Sequence, residues 1–170
     1  MFYLETENLS VLFELVRKYY GRNEEVPAYE SYKDDIAKLS GVLSGVKSDT
    51  FYPSLAQKAA YLFLQVNKGH FFPNGNKRFA LVTAISFINI NDYRIKELTF
   101  DEYQFLIRKL FPRYERFQSF PDFFPEEFAL YNLSIIVAES HKYVDNFEEL
   151  KKSVEAFFEY ALIEASSVKR

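Results

Sequence analysis

The chain has 170 residues, 48% of them apolar, 19% aromatic and 26% charged, with a net charge of −3. That length and composition fit one globular domain and exclude a disordered chain. Cysteine is absent and only His70 and His141 are histidines, which excludes disulfides, thiolate metal sites, cysteine nucleophiles and multi-histidine centres, while the acidic balance speaks against nucleic acid as a partner.

In chain order, the first residues, Met1 to Glu7, are acidic and lack the basic-then-apolar order of a secretory leader. No later run approaches the ~20 apolar residues of a membrane span. The expectation is a soluble cytoplasmic protein with no membrane partner. Leu9, Leu12, Phe13, Val16 and Tyr20 share one helical face, with Thr6 as N-cap and Gly21 as stop. A second helix is predicted over 31–44, with Ile36, Leu39, Val42 and Leu43 inward. The segment from Gly45 to Pro53 breaks the pattern and reads as a loop or small hairpin.

Pro53 opens a strong helix carrying Leu55, Ala59, Leu62, Phe63 and Val66 at helical spacing. It ends near Lys68-Gly69, where glycine can take the left-handed conformation. A helix from Asn76 to about Asn91 is apolar nearly all round and reads as the central one. Two capping boxes follow, at Thr99–Glu102 and at Asp145–Glu148, the latter with Asp145 at the cap. Pro125-Glu126-Glu127 starts a helix with proline and acids in its first turn. The run 111–125 is rich in Phe, Pro and charge. It reads as a loop tucking its rings inward, the alternative being an exposed partner surface. His141, near a helix end, is assigned no function. The fold class is all-α, one domain over 1–170 of about seven helices.

The turn His70-Phe71-Phe72-Pro73-Asn74-Gly75-Asn76-Lys77-Arg78 is where chemistry concentrates. It ends at a helix start, where unpaired amides point outward and form an anion site. Lys77 and Arg78 add cationic donors. From Thr50 to Asn91 there are 42 residues without one Asp or Glu and with four cations. The other 128 residues hold 17 bases and 24 acids. Within the flanking helices this reflects burial. At the exposed turn it predicts a locally positive potential that attracts a polyphosphate.

This turn resembles the Fic/Doc family signature: histidine, any residue, phenylalanine, two residues of which the second is usually acidic, Gly-Asn, glycine or lysine, then arginine. His70, Phe72, Gly75, Asn76 and Arg78 match, and Lys77 selects the death-on-curing, Doc-like toxin branch. The resemblance covers about residues 26–95, the motif-bearing core, and leaves a helical extension at about 99–170 unrecognised. It implies a single Fic-fold helical domain with a small flap loop or hairpin at 45–53 that pairs with the target peptide's backbone. It implies ATP and Mg²⁺ as cofactors and a protein hydroxyl as acceptor, a translation elongation factor being the family's expected target. His70 is then the general base; an ordinary imidazole titrates near pH ~6.5, suited to that task. Gly75, Asn76, Lys77 and Arg78 hold the phosphates, Arg78 also neutralises the transferring charge, and Phe72 anchors the turn. Lysine in place of the second glycine of the nest reverses the triphosphate, so that the γ-phosphoryl is transferred. AMP transfer and a non-catalytic Fic-fold binding module are the alternatives.

One position departs from the signature. The acid that helps hold Mg²⁺ is Asn74 here, a neutral ligand. The Ser/Thr-x-x-x-Glu-Gly/Asn inhibitory segment is not found, since Ser134 is followed four residues on by Ala138. Restraint by a separate antitoxin, a disordered segment that folds onto the toxin, is the expectation from the resemblance.

Overall fold

Seven α-helices form among residues 1–21 and 25–165, which the computed structural model describes: α1 (Leu9–Tyr20), α2 (Lys33–Gly45), α3 (Leu55–Lys68), α4 (Asn76–Ile90), α5 (Phe100–Leu110), α6 (Pro125–Ala138) and α7 (Phe147–Ala161). Residues 166–170 of the expected 1–170 domain lie outside the described ones. The all-α class holds. No described helix is long and apolar enough to cross a membrane.

Local chemistry sets the helix starts. Ser54 Oγ accepts the Gln57 amide at 3.1 Å, and Gln57 Oε1 accepts the Ser54 amide at 3.2 Å, so α3 begins on a closed capping box. Thr99 and Glu102 cap α5 in the same way. The first cap is not Thr6. Thr6 begins a short 3-10 turn, Thr6–Asn8, capped by Glu5, whose amide donates to Asn8 Oδ1 at 2.8 Å. The α7 cap is Asn146 rather than Asp145; Asn146 Oδ1 accepts the Glu149 amide at 2.9 Å. Position 31 belongs to a 3-10 turn, Tyr29–Ser31, and α2 starts two residues later.

The central layer is α3 against α4. The other face of α3 packs on α7, and α4 also meets α1 and α6. Ala59, Phe63, Val66, Phe79, Ala80 and Phe87 are fully buried between them. The Phe158 ring of α7 lies edge-on to Phe63 at 5.7 Å. This packing removes large apolar area from water and fixes the ends of α3 and α4, between which the turn hangs.

Two three-residue strands, β1 (Tyr93–Ile95) and β2 (Leu162–Glu164), pair antiparallel with Arg94 opposite Ile163. They tie the end of α4 to the end of α7. The 45–53 segment is a loop with no strand. Lys58, fully buried in α3, donates from Nζ to Val46 O at 2.8 Å and pairs with Asp49 at 2.9 Å, clamping that loop. The run 111–125 is divided. Phe111 and Tyr114 are buried, whereas Phe120 and Phe124 are exposed. Buried Asn132 of α6 holds its first half, accepting from Tyr114 Oη at 2.7 Å and from the Gln118 amide at 2.8 Å.

Candidate functional site

The α3–α4 turn is built by two residues with left-handed backbones. Gly69 is not one of them; its φ is −70°, and the positive φ of 47° falls on His70. Glycine is still required at 69, because a Cβ there would collide with the Phe71 ring. A non-glycine residue in this region costs about 1–2 kcal/mol. The reversal sends the Phe71 and Phe72 rings inward and leaves His70 exposed. Phe72 packs against Phe13, Tyr29, Tyr32 and Phe79, with ring centroids 4.6–5.8 Å away, which makes it the anchor of the turn.

Gly75, with φ 75°, is the second left-handed residue. A Cβ there would lie 2.8 Å from the Tyr29 hydroxyl. That hydroxyl is buried without a hydrogen-bond partner, and burial pushes its pKa up to about 12. Asn76 clips the turn shut: its Oδ1 accepts the Phe72 amide at 3.1 Å and its Nδ2 donates to Phe72 O at 2.6 Å. Its side chain is therefore a brace, and its contribution to an anion site is its backbone amide. The first intrahelical bond of α4 runs from the Phe79 amide to Gly75 O at 2.9 Å. The amides of residues 76–78 precede it and have no acceptor within the helix.

Residues 76–78 line a cavity of about 330 Å³. Every residue expected to hold the phosphates, the metal or the proton lines it: His70, Asn74, Gly75, Asn76, Lys77 and Arg78. Arg78 is buried, its guanidinium 5.2 Å from the Tyr20 ring centroid. Burial lowers its pKa, with Tyr131 and Tyr20 opposing; guanidinium remains a cation at any working pH. Lys77 is exposed at the rim. Glu139 is held below the usual carboxylate range first by its hydrogen bond from Lys142, with Lys77 contributing.

The sequence reading did not find the opposite wall. It consists of Asn67 from α3 and of Tyr131 and Ala138 from α6. Tyr131 is packed by Phe120 and Phe123 at 5.5 and 5.4 Å. Asn67 Nδ2 donates to Ser134 O at 3.0 Å, and Lys68 Nζ donates to Val137 O at 3.3 Å and Ser140 Oγ at 2.9 Å. α6 and the residues just after it are thus held against the end of α3 and supply one wall of the pocket. His141 is exposed and lies outside the cavity lining.

The donor set does not fit a resident Mg²⁺. The lining offers one neutral carboxamide, Asn74, beside two cations and no carboxylate, and no cluster of three acidic, histidine or cysteine side chains occurs among the described residues. Mg²⁺ takes at least one carboxylate in most protein sites. The arrangement suits an anion, bound by helix-start amides and by Lys77 and Arg78, next to an exposed imidazole.

Residues 9–88 match the family model described as the Fic/DOC family. The match runs from the first residue of α1 to Ile88 in α4. It therefore starts earlier than the expected core at about residue 26, and it takes in both helices flanking the turn. It supports the family resemblance carried by the motif. No curated protein and no solved structure matches the chain.

Proposed function

We propose that the protein transfers the γ-phosphoryl group of ATP to a hydroxyl of another protein. The observation that carries this reading is the convergence of an exposed His70, the first residues of α4, Lys77 and Arg78 on one cavity. The Fic/DOC match supports transfer of a nucleotide-derived group. Lys77 in place of glycine supports the Doc-like, γ-directed sense.

In this mechanism His70 accepts the proton of the target hydroxyl. The oxygen attacks the γ-phosphorus, the bond from that phosphorus to the β-bridging oxygen breaks, and ADP leaves with the electron pair. Phosphoryl transfer needs positioning and charge neutralisation more than covalent chemistry. The amides of residues 76–78, Lys77 and Arg78 supply both. The loop at 45–53, clamped by Lys58, is the proposed seat of the target peptide. A toxin role, an elongation-factor target and an antitoxin that covers the site in the cytoplasm belong to the same proposal.

A second reading is a nucleotide-binding module without catalysis, favoured by the cavity's lack of a carboxylate. Incubation with γ-labelled and α-labelled ATP and a cell lysate decides. Label from the γ position alone supports the proposal, and label from the α position means AMP transfer. Neither label, with His70→Ala indistinguishable from wild type, establishes the binding module.

A further inference from the structure

Asn67 occupies the last turn of α3, three residues before His70, and is 1% exposed. Its Nδ2 donates to Ser134 O at 3.0 Å, which fixes the amide's orientation; the flipped form would face one carbonyl oxygen with another. Its Oδ1 is buried and has no hydrogen-bond partner, although the residue lines the cavity. A buried acceptor left unpaired is costly, and a leucine would fill the same space without that penalty. Phosphate oxygens have no proton to offer it. The Asn76 amide group is already taken by Phe72. His70 lines the same cavity, is exposed, and makes no hydrogen bond among the described residues. In any histidine Nδ1 is the ring nitrogen nearer the backbone and Nε2 the one farther out.

We infer that Asn67 is a positioning residue for His70. Its Oδ1 accepts the Nδ1–H of the imidazole once the ring turns toward α3. That bond holds the proton on Nδ1 and leaves the Nε2 lone pair facing the cavity. A neutral imidazole carries one proton on two nitrogens, so the choice of tautomer decides whether the outward nitrogen is a base or a donor. The inference rests on the reading of His70 as the base, and it names what makes that base face the right way.

The test does not need activity. With only His70 and His141 in the chain, nitrogen-15 correlation spectra of the imidazoles at a pH where both are neutral resolve two side chains. His141 is exposed and serves as the internal reference. The wild-type protein is expected to show His70 displaced toward Nδ1–H relative to His141 by about fivefold in tautomer ratio, the factor one ordinary hydrogen bond supplies. Asn67→Leu is expected to return His70 to the His141 pattern. A His70 that matches His141 in the wild type overturns the inference, and so does a displacement that survives Asn67→Leu. Should Asn67→Leu not fold, the wild-type comparison decides alone. If the tautomer behaves as expected and no label is transferred from ATP, the positioning stands and the enzymatic reading falls.

Discussion

Gly75 and Tyr29 form a coupled pair whose energetics can be worked from the turn itself. Alanine at 75 must adopt φ 75°, which costs about 1–2 kcal/mol for an L-residue. Its Cβ must also sit 2.8 Å from the Tyr29 hydroxyl. The Tyr29 ring cannot retreat freely, because it is fully buried, stacked on Phe13 at 4.6 Å and abutted by Phe72 at 4.6 Å. Overpacking of that kind adds about 1–3 kcal/mol. Gly75→Ala is therefore expected to cost about 2–5 kcal/mol in total. Tyr29→Phe removes a buried hydroxyl that has no partner, so it is expected to stay within about 1 kcal/mol of wild type. In the Tyr29→Phe background the collision is gone, and Gly75→Ala should cost only the backbone term, about 1–2 kcal/mol. Urea unfolding of the four proteins, with ΔG extrapolated to water, measures the cycle. Equal costs of Gly75→Ala in the two backgrounds would refute the steric account. A clear loss on Tyr29→Phe alone would show that the hydroxyl has a partner after all.

His70→Ala is expected to lower label transfer from γ-labelled ATP about 10²–10⁴-fold, the usual share of a general base, with ATP binding by calorimetry unchanged. A loss of binding in step with transfer would make His70 a ligand rather than the base. Asn74→Asp adds a carboxylate to a lining that has none, and is expected to raise ATP affinity in the presence of Mg²⁺ about tenfold and not in its absence; calorimetry with no gain counts against placing the phosphates at this turn. Phe72→Ala empties a site touched by four rings and is expected to cost about 3–5 kcal/mol in urea unfolding. A cost below about 1 kcal/mol would mean the turn does not depend on that anchor.

The motif was legible because its chemistry is local. Gly75 and Asn76 answer to backbone demands within a few residues, so their types and spacing reveal the turn. The helices of the central layer were legible from periodicity, and the caps of α3 and α5 from side chains three residues apart. The left-handed residue at the end of α3 was misplaced by one position, because the choice between Gly69 and His70 depends on where the Phe71 ring lies. The strands were not legible. Three residues give no alternation to detect, and β1 finds its partner near the far end of the chain. The α6 wall of the pocket was not legible either. Its segment, Phe128 to Val137, is buried almost throughout, and that apolar pattern reads as core. A hint was present in Asn132 and Ser134, polar residues inside such a helix, since each must answer to a specific partner.

The division of labour in the site follows from where its charges can be placed. The turn and α4 are acid-free, and their cations stand at a helix N-terminus, so on the proposed reading this wall takes the anion and leaves His70 as the proton acceptor. The wall from α6 brings no full charge to the cavity; it brings Tyr131 and Ala138. Asn67 and Lys68, near the end of α3, both reach across to α6, donating to Ser134 O and Val137 O. Any displacement of α6 therefore acts on the same few residues that precede His70. Group transfer requires the base and the phosphate site to keep their mutual geometry, because an error of an ångström at the reacting atoms is expensive in rate. On the proposed reading, the residues beyond the family match bear on the site by holding the end of α3 that precedes His70, without themselves having to touch the transferred group.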